Sequence, residues 1–60
     1  MRDFNLKEET RKFQKSLIEQ ALIFNSSDVT KTSKSLGISR ASLYRKMKEL
    51  KVFTEEKENN

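Results

Sequence analysis

The sequence predicts an all-α fold of three helices, and three observations support this prediction. The 60-residue chain has no proline and a single glycine, so few positions interrupt a regular backbone. No segment shows the apolar–polar alternation of a strand, whereas apolar residues recur at helical spacings. Residues that favour helix N-termini precede three such segments, namely Asn5, Ser27 or Asp28, and Ser39. Because a chain of this length holds one domain at most, we expect a single small helical domain over residues 1–60.

The first helix is expected over residues 6–24. Asn5 is a favourable N-cap, and Glu8 follows three residues later, as in a capping box. Apolar residues form two rows on this helix: Leu6, Phe13, Leu17, Ala21 and Phe24 in the first, and Ile18 and Leu22 in the second. This stripe is too wide for one small partner helix, so one row is expected to face the domain and the other a second subunit. The candidates for the dimer interface are Leu6, Phe13, Leu17 and Ala21. The alternative is that both rows belong to one intramolecular core.

A break is predicted at residues 25–28 (NSSD), where Ser27 or Asp28 caps the second helix. The inward positions of this helix are Val29, Thr32, Ser33 and Leu36. The small residues among them permit a neighbouring helix to approach closely. Gly37 follows at the position where many helices end in a left-handed conformation, which costs glycine little.

Ser39 is expected to cap a third helix, from Arg40 to about Leu50. The inward face of this helix contains Leu43, Met47 and Leu50. Ile38 precedes the cap and Leu43 follows it at the spacing of a hydrophobic staple, which would fix the angle between the second and third helices.

Two expectations concern the end of the chain. Val52 and Phe53 are expected to fold back on the core. Residues 54–60 (TEEKENN) lack apolar side chains and are expected to form a frayed polar tail.

Two helices joined by a short turn with glycine form the helix-turn-helix pattern, here over residues 28–51. The second helix of this motif enters the major groove of DNA. The net charge of +4 is concentrated in the same segment, since residues 28–51 carry seven basic and two acidic side chains. Residues 1–27 have a net charge of +1 and residues 52–60 of −2. A run of charge alone is often a solvated face, but its coincidence with the motif favours an anionic partner.

With its apolar side chains inward, the third helix presents cationic and hydroxyl-bearing side chains outward. Arg40 and Arg45 can each bind guanine O6 and N7 or a phosphate, and the sequence leaves both roles open. Lysines suit phosphate contacts, although Lys34 and Lys51 are more simply interpreted as solvated. The candidates for DNA contact are Thr30, in the first turn of the second helix, and Ser39, Arg40, Ser42, Tyr44, Arg45, Lys46 and Lys48.

Other classes of function fit this composition poorly. Cysteine and histidine are absent, so the sequence predicts no metal site, no cofactor and no enzyme. The paired glutamates at 8–9 and 55–56 lie at polar ends of the chain and are interpreted as solvated. No apolar run approaches the roughly 20 residues of a membrane helix, and we expect a cytoplasmic location, with the nucleoid. A core this small usually needs further stabilisation, and this chain offers neither a disulfide nor a metal site. Association with a second subunit is the remaining way to stabilise it.

The string LGISRASLYRKMKEL, residues 36–50, resembles the Fis-type helix-turn-helix domain, and a looser resemblance covers residues 6–52. This domain closes bacterial enhancer-binding activators of the nitrogen-regulator (NtrC) type, which include response regulators and work with an alternative sigma factor. The resemblance implies a homodimer on a palindromic site and an ATPase domain upstream in the full-length protein. By matching positions, it implies DNA contacts at Thr30, Ser39, Arg40, Ser42, Tyr44, Arg45 and Lys48.

The sequence departs from this family pattern in two places. Ser27-Asp28 stands where the family usually has Gly-Asn, and Thr32-Ser33 stands where it usually has two alanines. The first change puts the contacts from the start of the second helix in doubt, because a carboxylate near phosphate is unfavourable. Two alternatives stay open: a free-standing Fis-like nucleoid protein that bends DNA, and a helical protein-interaction module that does not bind DNA.

Overall fold

A computed structural model describes residues 3–53, and the chain forms three α-helices over this range. They are α1 (Leu6–Phe24), α2 (Val29–Leu36) and α3 (Arg40–Leu50). The all-α prediction and the predicted helix limits are therefore confirmed. The expected polar tail at 54–60 lies outside the described residues.

Each helix begins at a side chain that caps the first turn. Asn5, Asp28 and Ser39 have extended backbones, and the side-chain oxygen of each accepts a hydrogen bond of 3.0 Å from the backbone amide three residues later. Each bond satisfies a donor that has no partner within its helix. The cap of α2 is therefore Asp28 rather than Ser27, and the cap of α3 is Ser39 as predicted.

Each helix is followed by a residue in the left-handed conformation that closes its last turn. These residues are Ser26 (φ 56°), Gly37 (φ 75°) and Lys51 (φ 58°). The amide of each bonds the carbonyl three residues earlier, and the following amide bonds the carbonyl five residues before it, at distances of 2.7 to 3.3 Å. This pattern is the Schellman motif. Only one of the three ends uses glycine, and Ser27 also has a positive φ of 63°.

The core lies where the three helices meet. Its buried apolar residues are Ile18 and Leu22 of α1, Val29 of α2, Leu43, Met47 and Leu50 of α3, and Val52 after α3. Val29 of α2 and Leu43 of α3 are both fully buried in this cluster. The predicted inward face of α3 is thus confirmed.

Two hydroxyl groups are buried within α2. Thr32 Oγ1 donates to the carbonyl oxygen of Asp28, and Ser33 Oγ donates to that of Thr30, each at 2.8 Å. Both residues are almost fully buried, and Leu36 is half-buried against the core. Because the hydroxyls find partners inside the helix, α2 can bury them without leaving a polar group unsatisfied.

The two apolar rows of α1 have different surroundings. Ile18 and Leu22 are buried, whereas the first row is open to solvent except for Ala21, which is half-buried. The exposed members of the first row are Leu6, Phe13, Leu17 and Phe24. The interpretation of both rows as one intramolecular core is therefore wrong.

The residues after α3 correct one prediction. Val52 folds onto the core as expected, and its amide bonds the carbonyl oxygen of Met47 at 2.8 Å. Phe53 does not, because 87% of its surface is exposed. The turn at Lys51 directs Val52 inward, and the side chain of its neighbour is then directed away from the core.

The predicted staple between Ile38 and Leu43 is only partly supported. Leu43 is fully buried, but 37% of the Ile38 side chain is exposed. Ile38 borders a shallow apolar depression together with Leu17, Ile18 and Leu36. Contact between the two residues of the staple therefore stays a prediction.

Candidate nucleic-acid interface

The turn between α2 and α3 is only three residues long, from 37 to 39. Gly37 ends α2 in the left-handed conformation, and Ser39 starts α3 as its cap. The short turn joins the two helices, and both contribute buried side chains, Val29 and Leu43, to the same core. This is the helix-turn-helix geometry that the sequence predicts.

Because its apolar residues are buried, α3 presents a polar outer surface. Arg40, Ala41, Arg45, Lys46 and Lys48 are exposed on it, and Ser42 and Tyr44 are half-buried at its edges. The small side chains at the start of α3 leave its first turn open to close approach. The structure therefore brings the predicted site residues of α3 onto exposed parts of one short helix.

The start of α2 is joined to the start of α3 by a side-chain contact. Arg40 Nη1 donates a hydrogen bond of 3.3 Å to Thr30 Oγ1, and both residues are exposed. Thr30 thus lies beside α3, although it is ten positions from Arg40 in the chain. The sequence predicts both residues as part of the site, but nothing in their spacing indicates this bond.

The hydroxyl of Ser39 has a structural task. It accepts from the Ser42 amide and donates to Ser42 Oγ, both at 3.0 Å. Its proton is therefore engaged within the first turn of α3. Ser42 Oγ accepts in this pair, so its own proton is left for a further acceptor. Of the two serines, Ser42 is the better placed to donate to a nucleic acid.

Tyr44 also differs from the simple expectation of an outward side chain. It is half-buried and packs against the core cluster. Its side chain therefore contributes to the packing of α3 against the core as well as to the surface. Arg45, Lys46 and Glu49 lie on the exposed surface and border a shallow depression with Ser42.

A contact with α1 supports α3, and no pattern in the sequence predicts it. The guanidinium of Arg11 in α1 donates a hydrogen bond of 3.1 Å to the backbone carbonyl oxygen of Glu49. That carbonyl lies in the last turn of α3, where carbonyl groups have no partner within the helix. Arg11 thus fixes the C-terminal end of α3 to α1.

Two further observations concern metal binding and membrane insertion in the described part of the chain. Among residues 3–53, no cluster of acidic side chains is arranged to hold a metal ion. Within the same range, none of the helices is both long and apolar enough to span a bilayer.

The three-helix fold with a basic recognition helix defines a helix-turn-helix DNA-binding regulatory domain. The family model for bacterial regulatory proteins of the Fis family matches residues 10–50, which is more than half of the chain. The chain therefore belongs to the Fis family of bacterial regulatory proteins. Neither curated proteins nor solved structures give a significant match to it.

Proposed function

We propose that this chain is the sequence-specific double-stranded DNA-binding domain of a bacterial, sigma-factor-dependent transcriptional activator of the NtrC type. The observation that carries the proposal is the exposed surface of α3, where Arg40, Arg45, Lys46 and Lys48 surround two small residues in the first turn. A surface of this shape and charge fits the major groove, where side chains contact base edges and phosphates. The choice of the activator class rests on the resemblance of residues 36–50 to that group.

Within this proposal, the roles of the site residues follow from their chemistry. The two arginines are candidates for base contacts, and the lysines are candidates for phosphate contacts. Ser42 and Tyr44 are the candidates to supply hydroxyl groups, while Ser39 acts mainly through its cap. The full proposed DNA-binding set is Thr30, Ser39, Arg40, Ser42, Tyr44, Arg45, Lys46 and Lys48.

The proposed active form is a homodimer on a palindromic site. The exposed row of α1 supports this, because Leu6, Phe13 and Leu17 are 80%, 67% and 45% exposed on one helix. An exposed apolar row of this length is typical of an interaction surface. Ala21 completes the proposed interface. Two recognition helices related by a two-fold axis would contact half-sites about one helical turn apart, or a multiple of it.

The test is a salt titration of binding to duplex DNA. Each phosphate that the protein neutralises releases counterions, so the logarithm of affinity should fall linearly and steeply with the logarithm of salt concentration. The variant Lys46→Gln should reduce that slope by about one. Lys34→Gln is the matched control, since it removes one positive charge from an exposed position outside the proposed site. A flat titration, or equal effects of the two variants, would contradict the proposed interface.

A free-standing Fis-like nucleoid protein is the second candidate, and membership of the Fis family is compatible with both candidates. The two candidates differ in the rest of the protein, since an activator carries an ATPase domain upstream of this one. They also differ in what they do to DNA. A nucleoid protein of this kind should shift the mobility of circularly permuted duplexes by bending them, with little dependence on sequence. Both candidates place the protein in the cytoplasm, with the nucleoid.

A further inference from the structure

The hydrogen bond between Thr30 and Arg40 joins two exposed side chains on different helices. An arginine side chain loses rotamer freedom when it is held in one position, and a solvent-exposed contact recovers little stability in return. Stability of the fold is therefore a weak reason for this bond. Its effect is on Arg40 itself, whose guanidinium is held beside the N-terminal end of α2 by a bond within the chain.

We infer that Thr30 is a positioning residue that orients Arg40 to contact a base edge, and that Arg40 determines sequence preference at one base pair of the site. This inference rests on the proposed function and deepens it. Thr30 and Arg40 then have different roles, one in positioning and one in contacting the base, whereas the sequence predicts only that both belong to the interface.

The chemistry of the bond suits this role. A guanidinium has five N–H donors, and a bidentate contact with guanine O6 and N7 uses two of them. The one donor given to Thr30 therefore leaves enough for the base. The acceptor is also neutral, so it restrains Arg40 without cancelling its charge. A carboxylate at position 30 would hold the guanidinium more tightly but would compete with DNA for it.

The second arginine of α3 provides a contrast. Within residues 3–53, no such tether accompanies Arg45, which is exposed beside Ser42 and Lys46. An untethered arginine loses more side-chain freedom when it binds a defined base edge. It can adapt to a phosphate at lower cost, because phosphate contacts tolerate several geometries. The tether therefore favours Arg40 over Arg45 as the residue that discriminates between bases.

The test compares base preferences, using duplexes of about 30 base pairs, roughly three helical turns, with a randomised centre. Sequences retained by the unmodified chain are compared with those retained by Arg40→Ala, Thr30→Val and Thr30→Ser. We expect Arg40→Ala to abolish preference at one position in each half-site. Thr30→Val should weaken preference at the same position by about five- to tenfold, the lower part of the range for one bidentate contact, and leave the other positions intact. Thr30→Ser should retain the preference, because it keeps the hydroxyl.

The outcomes separate this inference from the proposed function. Thermal unfolding of the three variants monitors folding, and their midpoints should lie close to that of the unmodified chain. If Thr30→Val leaves every preference intact, or if it weakens affinity for all sequences equally, the positioning role is wrong although DNA binding stands. If Arg45→Ala rather than Arg40→Ala abolishes the preference, the assignment of Arg40 is wrong. If the unmodified chain retains no duplex at all, the proposed function fails together with the inference.

Discussion

Arg11 in α1 and Glu49 in α3 are 38 positions apart, and the guanidinium of Arg11 donates a hydrogen bond of 3.1 Å to the carbonyl oxygen of Glu49. The bond joins the N-terminal half of α1 to the last turn of α3. It lies at the opposite end of α3 from the bond between Thr30 and Arg40. An arginine therefore links each end of α3 to another helix. Arg40 of α3 bonds Thr30 of α2 at the N-terminal end, and Arg11 of α1 bonds Glu49 at the C-terminal end.

The first prediction concerns this support. Arg11→Met keeps most of the apolar stem but removes the donor, so the free energy of unfolding should fall by about 0.5–1 kcal/mol. Urea unfolding measures the change. Lys12→Met is the matched control, because it removes an exposed cation from the neighbouring position of α1. Equal effects of the two changes would show that charge, and not the contact with Glu49, is responsible.

The second prediction concerns the end of α1. Ser26 has a φ of 56°, a conformation that glycine adopts without the steric cost of a Cβ atom. Ser26→Gly should therefore raise the free energy of unfolding by about 0.5–1 kcal/mol. This gain is the relief of backbone strain after subtraction of the extra conformational entropy that glycine gives the unfolded chain. Ser16→Gly, inside α1, should have the opposite sign because glycine is unfavourable in a helix interior. Stabilisation by both changes, or by neither, would argue against a strained turn.

The third prediction concerns the turn of the helix-turn-helix. Gly37 has a φ of 75°, and no atom lies within 4 Å of the place where a Cβ would be added. Gly37→Ala should therefore lower the free energy of unfolding by about 1 kcal/mol through backbone strain alone. Gly37→Asn should cost less, since asparagine tolerates the left-handed region better than alanine. Chemical unfolding shows which of the two variants is the less stable. A larger loss of stability for the asparagine variant would indicate steric crowding rather than backbone strain.

The fourth prediction concerns the cap of α2. Asp28 accepts the Lys31 amide and places a negative charge at a helix terminus that faces the proposed DNA surface. Asp28→Asn keeps a capping oxygen and removes the charge, so affinity for duplex DNA should rise several-fold at low salt and converge with the unmodified chain at high salt. Stability should fall by less than about 1 kcal/mol through the lost interaction with the helix dipole. Unchanged affinity at low salt would place this terminus away from the phosphates.

The fifth prediction concerns the exposed row of α1. Phe13→Ser should weaken self-association, because 67% of this side chain is exposed in the single chain. Phe53→Ser is the matched control, since that phenylalanine is 87% exposed but lies outside α1. Sedimentation equilibrium over a range of concentrations distinguishes the two variants. A monomer at every concentration for the unmodified chain would contradict the proposed homodimer.

The sequence predicts the helices well because their limits depend on local chemistry. Asn5, Asp28 and Ser39 act through amides only three residues away, and Gly37 acts through its own backbone. The inward face of α3 follows from periodicity in the same direct way. All the residues that produce these features lie within a few positions of one another in the sequence.

Predictions that depend on contacts between elements are less complete. The pairing of Arg11 with Glu49 depends on how α1 crosses α3, which no spacing in the sequence reveals. The pairing of Thr30 with Arg40 likewise depends on the angle between α2 and α3. Phe53 shows the same limit, since its exposure follows from the left-handed backbone of Lys51, a conformation rarely adopted by lysine.

The short length of α2 limits how far the recognition unit can be separated from the rest of the chain. Helices below about 12–15 residues are marginal in water, and α2 has eight. Its persistence therefore depends on burial of Val29 and Thr32 against neighbouring helices. An excised peptide of residues 28–51 would keep its net charge of +5 but lose the shape that presents it. The helix-turn-helix is thus not a portable module, and α1 must accompany it in any transplant to another protein.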